Sequence, residues 1–569
     1  MKSLYIKNNT VLINFTTTYY QTIEEVISSD NFYFVLQCYI EHLRNNDLKL
    51  YRWFINDKTD DKAIKQMIHL LKLLCIIDVS EIDSDYLLER RFMIAFVENF
   101  YNFWRKLQRC TMISTKAKQG LQLANFIEAD NKFNQLMLSL YRRIEENVQG
   151  RKNNVYRQLN AGSNASMVVR DYRWSVPKGY EALKGLPFID SVMLRTPLLL
   201  HPASNKRSGT FQEIDTNAVN TFNPDKDEWF CYPAKIGSLL TFIYFHCDYI
   251  FSGLAMANLF ELALDKECYN KKPDVILLFG NKDDKEECTF HHDTENEIWV
   301  GNVSYKSEIE YFGYLKKMAL TLHNLAMIQK GWLPLHGSMI NITLASGKTK
   351  GIIFIGDSGA GKSETIEAIQ NLGYKDIIST QVIFDDMGSL HIKDGQVYAQ
   401  GTEIGAFVRL DDLEKGSAYR EMDRSVFFNP ETSNARVVIP VVSYEDVVSD
   451  HVVDMFMYAN NYTEKIGGRE FDTVTEAMDT FCEGKRFALG TTSETGLSTT
   501  FFANPFGPVQ REKECMILIK EMFRTMQENQ IMLGEVYTQL GIKDKDHDAL
   551  ALAAEYLLKV INNEQEGNR

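Results

Sequence analysis

Gly356-Asp357-Ser358-Gly359-Ala360-Gly361-Lys362-Ser363 fits the pattern G-x-x-x-x-G-K-[ST] without a gap or insertion. Ile352-Ile353-Phe354-Ile355 stands before it as a short apolar run of buried-strand type. Glu364 to Gln370 follows with helical character, and Gly373 marks its stop. Strand, glycine loop and helix therefore come in the order a phosphate cradle needs. Gly356, Gly359 and Gly361 can take backbone angles closed to other residues, so successive N–H groups can face a phosphate at the positive end of the helix. Lys362 would reach the β and γ phosphates and the Ser363 hydroxyl would bind magnesium, with Asp357, Ser358 and Ala360 completing the loop.

Working outward, Leu333 to Ser338 leads into a strand, Met339 to Leu344, and the Ser346-Gly347-Lys348-Thr349-Lys350 turn returns the chain as a hairpin into the phosphate loop. That hairpin sets His336 near the loop end. After the loop helix, Val382-Ile383-Phe384-Asp385-Asp386 is an apolar strand ending in two acids, where a magnesium-positioning carboxylate usually sits. Asp386 or Asp385 is the expected metal-linked residue.

The chain has 569 residues, too many for one core, so several domains are expected. A net charge of −14 implies no broad nucleic-acid surface. Nine scattered cysteines without a C-x-x-C pair read as reduced thiols of a cytoplasmic protein, and nothing near Met1 resembles a cleavable signal. Ile236 to Leu264 is strongly apolar but contains His246, Asp248, Asn258 and Glu261, so a core helix or helix pair is expected rather than a membrane span.

Residues 1–150 show apolar spacing of helical period, as in Ile64, Met67, Ile68, Leu71, Leu74 and Cys75. They predict an all-helical accessory domain, a packing or regulatory module through which a protein partner would act. Polar, glycine-bearing stretches at Gln149 to Asn154 and Asn160 to Asn164 suit a linker. Residues 151–310 alternate short apolar segments with loops and form the expected substrate lobe. Within it His291-His292-Asp293 offers metal-ligand types, yet its polar surroundings predict a solvated turn. Residues 311–510 form the nucleotide and metal domain, and 511–569 are expected to be C-terminal helices, Glu512 to Leu540 and Asp548 to Asn562.

The stretch Leu333 to Asp386 resembles the nucleotide core shared by phosphoenolpyruvate carboxykinases and HPr kinases, and the loop with its Ser363-Glu364 resembles the HPr kinase version. Other residues resemble the ATP-type carboxykinase. Tyr311-Phe312-Gly313-Tyr314-Leu315-Lys316-Lys317 is similar to the segment in which a tyrosine stands near carbon dioxide and the second lysine binds manganese. His336 stands where that family has a metal-binding histidine. Glu403 to Arg409 resembles Glu-Gly-Gly-Cys-Tyr-Ala-Lys, with Arg409 replacing a phosphate-contacting lysine. Ser433 to Pro440 resembles Glu-Asn-Thr-Arg-Val-Ser-Tyr-Pro, whose arginine, here Arg436, bridges ATP and substrate. Ala488 to Thr492 and Phe501 to Gly507 echo the family's Ala-Gly-Thr-Glu and Phe-Gly-x-Pro-Phe segments. Arg207 is the best counterpart of the substrate-carboxylate arginine.

The resemblance implies an α/β, two-lobed carboxykinase-like core with the phosphate loop on a mixed sheet. It implies manganese on Lys317, His336 and Asp386, magnesium on Ser363, and Lys362, Arg409 and Arg436 gathering charge on the γ-phosphoryl. The expected reaction turns oxaloacetate and ATP into phosphoenolpyruvate, ADP and carbon dioxide, with no nucleic acid or membrane involved. A phosphotransferase of HPr-kinase kind acting on a protein serine or small hydroxyl compound is the alternative, and a non-catalytic nucleotide sensor is a third.

Overall fold

The computed structural model describes residues 2–115, 121–153, 156, 160–207, 211–285, 287–372, 377–410, 422–489, 495–542 and 548–566. Gly373, Ser208-Gly209 and Gly490 to Thr492 lie outside them. The chain is a mixed α/β protein with several sheets.

The phosphate loop leaves an eight-stranded mixed sheet. Its centre is the expected hairpin, Leu333–Leu344 against Thr349–Ile355, with Ile340 opposite Ile352 and Gly337 opposite Ile355. Side chains alternate across a strand. Ile352 and Phe354 therefore face a cluster with Ile366, Ile369, Leu557 and Leu558 from helices Lys362–Asn371 and Asp548–Glu566. Ile353 and Ile355 face the opposite cluster, with Phe481, Ile519 and Phe523 from helices Val474–Glu483 and Glu512–Glu528. Helices cover both faces, which is why this strand reads as a continuous apolar run. Each fully buried Ile or Phe here contributes on the order of 1.5–3 kcal/mol.

Two parallel strands, Met455–Asn460 and Met532–Tyr537, extend the sheet beyond Thr349–Ile355. Met532–Tyr537 corrects the expectation of helix through Leu540, because helix Glu512–Glu528 ends early and the chain returns as a fully buried strand. On the other side, Ile377–Lys393 runs antiparallel to Leu333–Leu344, with His336 opposite Met387, Gly337 opposite Asp386 and Ser338 opposite Asp385.

A second, twelve-stranded sheet begins at the N-terminus. Leu4–Lys7 pairs with Thr10–Asn14, which runs parallel to Gln108–Ser114, itself parallel to Ala165–Arg170. Residues 1–150 are therefore not all helical: helices such as Asp30–Asn46, Asp60–Leu74, Arg90–Lys106 and Leu121–Gln149 pack beside three strands that continue the sheet of the following segment. The linker reading at Asn160 to Asn164 also changes. Arg109, 1% exposed, donates to the carbonyls of Trp104, Arg105, Leu107 and Gly162, and its backbone N–H donates to Asn164 Oδ1.

Ile236 to Leu264 opens on a strand, Leu239–His246, and continues as a short buried helix, Ile250–Ala255. The expected core helix is confined to the second half, because the β-branched and aromatic residues of Leu239–His246 sit between two neighbouring strands, Trp229–Ile236 and Val275–Asn281. His291, His292 and Asp293 likewise end a strand, Cys288–Asp293, with the His292 ring stacked 4.3 Å from Trp299 rather than in a solvated turn. No helix among the described residues is long and apolar enough to cross a membrane.

Helix Gly313–Gln329 is buried on nearly all sides and packs into the core of this second sheet. A four-stranded sheet joins Gly405–Arg409, Arg436–Pro440, Val426–Phe428 and Leu198–Leu200, so chain from before residue 310 pairs with chain from after residue 400. The site described next lies where helix and sheets meet.

Candidate active site

The phosphate loop is braced from two strands. Asn461 Nδ2 donates to Gly359 O at 2.9 Å, and Thr538 Oγ1 donates to Ala360 O at 2.7 Å. Gly361 has φ 102°, and a Cβ there would meet Thr538 at 2.7 Å. Gly356 needs space instead of a positive φ, since a Cβ would lie 2.6 Å from that of Ala360. Lys362 opens the helix, buried, with Nζ 3.4 Å from Asp357 O.

Asp357 gains a role beyond filling the loop. Its Oδ1 accepts from Ser358 N at 2.7 Å, and its Oδ2 accepts from Arg486 Nε at 2.9 Å. Burial opposes its charge, but His336 and Arg486 outweigh burial and hold its carboxyl well below the usual range. Arg486 stands 129 residues further on, in the hairpin Lys485–Leu489 with Thr495–Thr499, and sequence reading missed it.

Strand register delivers the two acids to different partners. Asp385 Oδ1 accepts from Ser363 Oγ at 2.8 Å and from Ser338 Oγ at 2.5 Å. Asp386, one residue on, points to the other face of the strand. Its Oδ2 lies 2.6 Å from Lys316 Nζ and 2.9 Å from Lys317 Nζ, and its Oδ1 lies 2.8 Å from His336 Nε2. Asp386 has φ 129°, a backbone angle that is disfavoured for a side-chain-bearing residue and tends to mark functional sites. The expected trio of Lys317, His336 and Asp386 is thus brought together, and Lys316 joins it.

Burial works against the Asp386 charge, yet Lys316 and Lys317 hold its pKa well below the carboxylate range. Lys317 is pulled the opposite way from an ordinary surface lysine: burial lowers its pKa, the Lys316 charge adds to that, and Asp386 opposes both. Glu403, 2% exposed, has Oε1 2.9 Å from Lys316 Nζ, but neither of its oxygens finds a well-aligned hydrogen bond among the described residues. Lys316 serves Asp386 first. Burial consequently lifts Glu403 to about 7 despite the nearby ammonium, with the Asp386 charge adding to the rise.

Two rings organise the remaining cations. Phe506 lies 4.6 Å from Lys317 Nζ and 5.9 Å from the Arg207 guanidinium, with its ring centroid 6.3 Å from that of His336. Its carbonyl accepts from Asn324 Nδ2 at 2.7 Å, which anchors it. Phe407 lies 5.6 Å from both Lys316 Nζ and the Arg436 guanidinium and 6.1 Å from the Tyr311 ring. Arg409 and Arg436 are register partners on adjacent strands. The Arg436 Nε is buried without a hydrogen-bond partner among the described residues.

The donor set suits divalent cations. Ser363 and Asp385 form the hydroxyl and carboxylate pair by which phosphate-loop enzymes hold magnesium. At His336 both ring nitrogens face oxygen, Nδ1 toward Ala503 O at 3.1 Å and Nε2 toward Asp386. An Nδ1–H donating to that carbonyl would leave Nε2 and the Asp386 carboxylate as the pair a cation could use.

No protein-family model matches the chain, and no curated protein matches it. Among solved structures the chain is similar to the Hpr(Ser) kinase/phosphatase from Coxiella burnetii at 14% identity, over 34% of this chain and 98% of that one, with a TM-score of 0.15. A superposition that loose assigns no chemistry to this chain.

Proposed function

We propose that the chain is a phosphoenolpyruvate-carboxykinase-like enzyme that decarboxylates oxaloacetate and phosphorylates the enolate with ATP. The observation that carries this reading is the meeting of Lys317 and His336 on Asp386, each within hydrogen-bond distance of its carboxylate, beside a phosphate loop. Manganese held by those three residues would supply a Lewis acid for the carbonyl and enolate oxygen, and magnesium at Ser363 and Asp385 would neutralise phosphate charge.

The chain's own groups fit the remaining work. Lys362 and the loop backbone hold the β and γ phosphates, with Asp357 and Arg486 keeping the loop in shape. Arg436, with its open Nε, and Arg409 beside it would steady charge on the phosphoryl group in transit. Arg207, which shares the Phe506 ring with Lys317, is the cation to take a substrate carboxylate. Tyr311, close to Phe407, closes the side where carbon dioxide would leave. The lowered pKa of Lys317 brings it nearer the neutral form that a metal-ligating amine requires.

Purified protein given oxaloacetate, ATP, magnesium and manganese should form phosphoenolpyruvate, and Lys317→Ala and His336→Ala should each lose at least a hundredfold in turnover. Absence of product in both directions would remove the carboxykinase reading. The ion pair between Lys317 and Asp386 favours a second one: it keeps Asp386 ionised, so that its carboxylate could orient an attacking hydroxyl by accepting a hydrogen bond. That phosphotransferase would label a protein serine or a small alcohol without any dependence on oxaloacetate. Tight nucleotide binding with no turnover of either kind would leave only the sensor.

A further inference from the structure

His246-Cys247-Asp248 stands where strand Leu239–His246 runs out into a turn, and the catalytic reading gives these residues no task. His246 and Cys247 are buried, and the Asp248 side chain is 4% exposed. His246 Nδ1, Cys247 Sγ and a carboxylate oxygen of Asp248 lie within 4.8 Å of one another. Nδ1 is 3.9 Å from Sγ and 3.4 Å from Asp248 Oδ2. At zinc–ligand lengths of about 2.0–2.3 Å, the matching edges of a tetrahedron are about 3.6 Å and about 3.4 Å. The chain's own atoms thus already stand near the spacing of metal-bound ones.

Groups behind these side chains fix which atoms face inward. Glu228 Oε2, steadied by Lys282 Nζ at 3.2 Å, accepts from His246 Nε2 at 2.9 Å. Burial lowers the His246 pKa, so the ring is neutral and Nδ1 carries a lone pair, which the Asp248 backbone N–H meets at 3.1 Å. A carboxylate on the far nitrogen is the arrangement that orients metal-bound histidines. Asp248 is oriented too: Oδ1 accepts from Tyr5 Oη at 2.5 Å and Oδ2 from Tyr305 Oη at 2.5 Å. Lys7 Nζ lies 3.1 Å from Oδ2, and with 43% of its side chain exposed the ammonium can swing into solvent.

We infer that His246 Nδ1, Cys247 Sγ and Asp248 Oδ2 form a zinc site in which the bound cation takes over from the Lys7 ammonium. Its mixed nitrogen, sulfur and oxygen donors suit zinc better than magnesium or manganese, which prefer oxygen. A water completes the tetrahedron, and the metal displaces the Asp248 N–H from Nδ1. Burial pushes the Cys247 thiol up to about 12, so binding turns it into a thiolate and releases its proton to solvent. Through Asp248 and Tyr5 the cation would pin strand Leu4–Lys7 to the turn after Leu239–His246.

Cobalt(II) is the probe, because a thiolate bound to it absorbs in the near ultraviolet, whereas Lys317, His336 and Asp386 offer no sulfur. The metal-free full chain titrated with cobalt should gain that band and release a proton, and added zinc should remove the band. Cys247→Ser should abolish it. Lys7→Met, at a half-exposed position, should tighten cobalt binding at least tenfold, and Glu228→Gln should weaken it about tenfold. Should Cys247→Ser fail to fold, the Lys7→Met titration decides. No band in the wild type, a band that survives Cys247→Ser, or an unchanged affinity in Lys7→Met would each overturn the inference. Lys317→Ala should keep the band in full, so the outcome is separate from whether the phosphate-loop site turns over oxaloacetate.

Discussion

Replacing Glu403 by Gln should remove a pH dependence from folding stability. The side chain is 2% exposed, and burial together with the Asp386 charge raises its pKa from 4.5 to about 7, although Lys316 opposes the rise. In the unfolded chain the group titrates near its ordinary value. Between about pH 4.5 and 7 the folded chain therefore keeps a proton that the unfolded chain has lost, so stability falls as pH rises through that window and is flat above it. The gap between the two values, at about 1.4 kcal/mol per pH unit, amounts to about 3 kcal/mol. A glutamine has no such equilibrium, and Lys316 keeps Asp386 at 2.6 Å, so its ammonium is not orphaned by the change. Urea unfolding of both chains at several pH values from 4.5 to 7.5 gives the difference directly. Histidines that titrate in the same range act on both chains and cancel. The variant should gain about 3 kcal/mol relative to the wild type across the window. Parallel curves, or a variant that loses ground as pH rises, would refute the reasoning that burial outweighs Lys316 at this carboxyl.

Lys362→Ala should abolish the rise in melting temperature that magnesium and ATP give the wild type, and an undiminished rise would mean the loop does not hold phosphate. Asp357→Asn removes the carboxylate that Arg486 Nε meets at 2.9 Å and should cost about 1–3 kcal/mol in a denaturant titration. Because folding depresses the Asp357 and Asp386 pKa values, their contribution is complete above about pH 4 and is lost as pH falls through the folded values. Acid unfolding of the wild type should therefore begin below pH 4 and start at higher pH in Asp386→Asn. Arg109→Met strips a buried donor from the carbonyls of Trp104, Arg105, Leu107 and Gly162 and should cost about 3 kcal/mol or more, with faster amide exchange in Gln108–Ser114.

The phosphate-loop region was legible because its signals are local: a four-residue apolar run, glycines at fixed offsets, and a turn of Ser346 to Lys350 joining two strands. Lys317, His336 and Asp386 could be placed together only through the hairpin and a resemblance, and the register of Leu333–Leu344 with Ile377–Lys393 is what brings the latter two into contact. Arg486 was invisible because nothing near it in the chain announces Asp357. Glu403 and Lys316 stood inside quoted motifs, but their roles arise from competition for one buried ammonium, which no spacing encodes. The strands Leu4–Lys7, Thr10–Asn14 and Gln108–Ser114 were lost among strong helical periodicity, being short and paired with partners far along the chain. Met532–Tyr537 was lost for a similar reason, since Met and Leu suit helices as well as strands and only the neighbouring Met455–Asn460 decides the matter.

The three N-terminal strands bear on how this molecule can be dissected. Gln108–Ser114 shields the long side of Ala165–Arg170, and Asp130 ties the two together through Thr111 Oγ1 at 2.9 Å and Ser166 Oγ at 2.5 Å. A truncation starting near residue 150 would lay bare a row of unpaired amides and carbonyls flanked by Met167, Val168 and Val169, the kind of open rim onto which other chains add. The segment that looks detachable in the sequence is thus the guard rail of the larger sheet, and the shortened protein should precipitate rather than behave as a free-standing catalytic half.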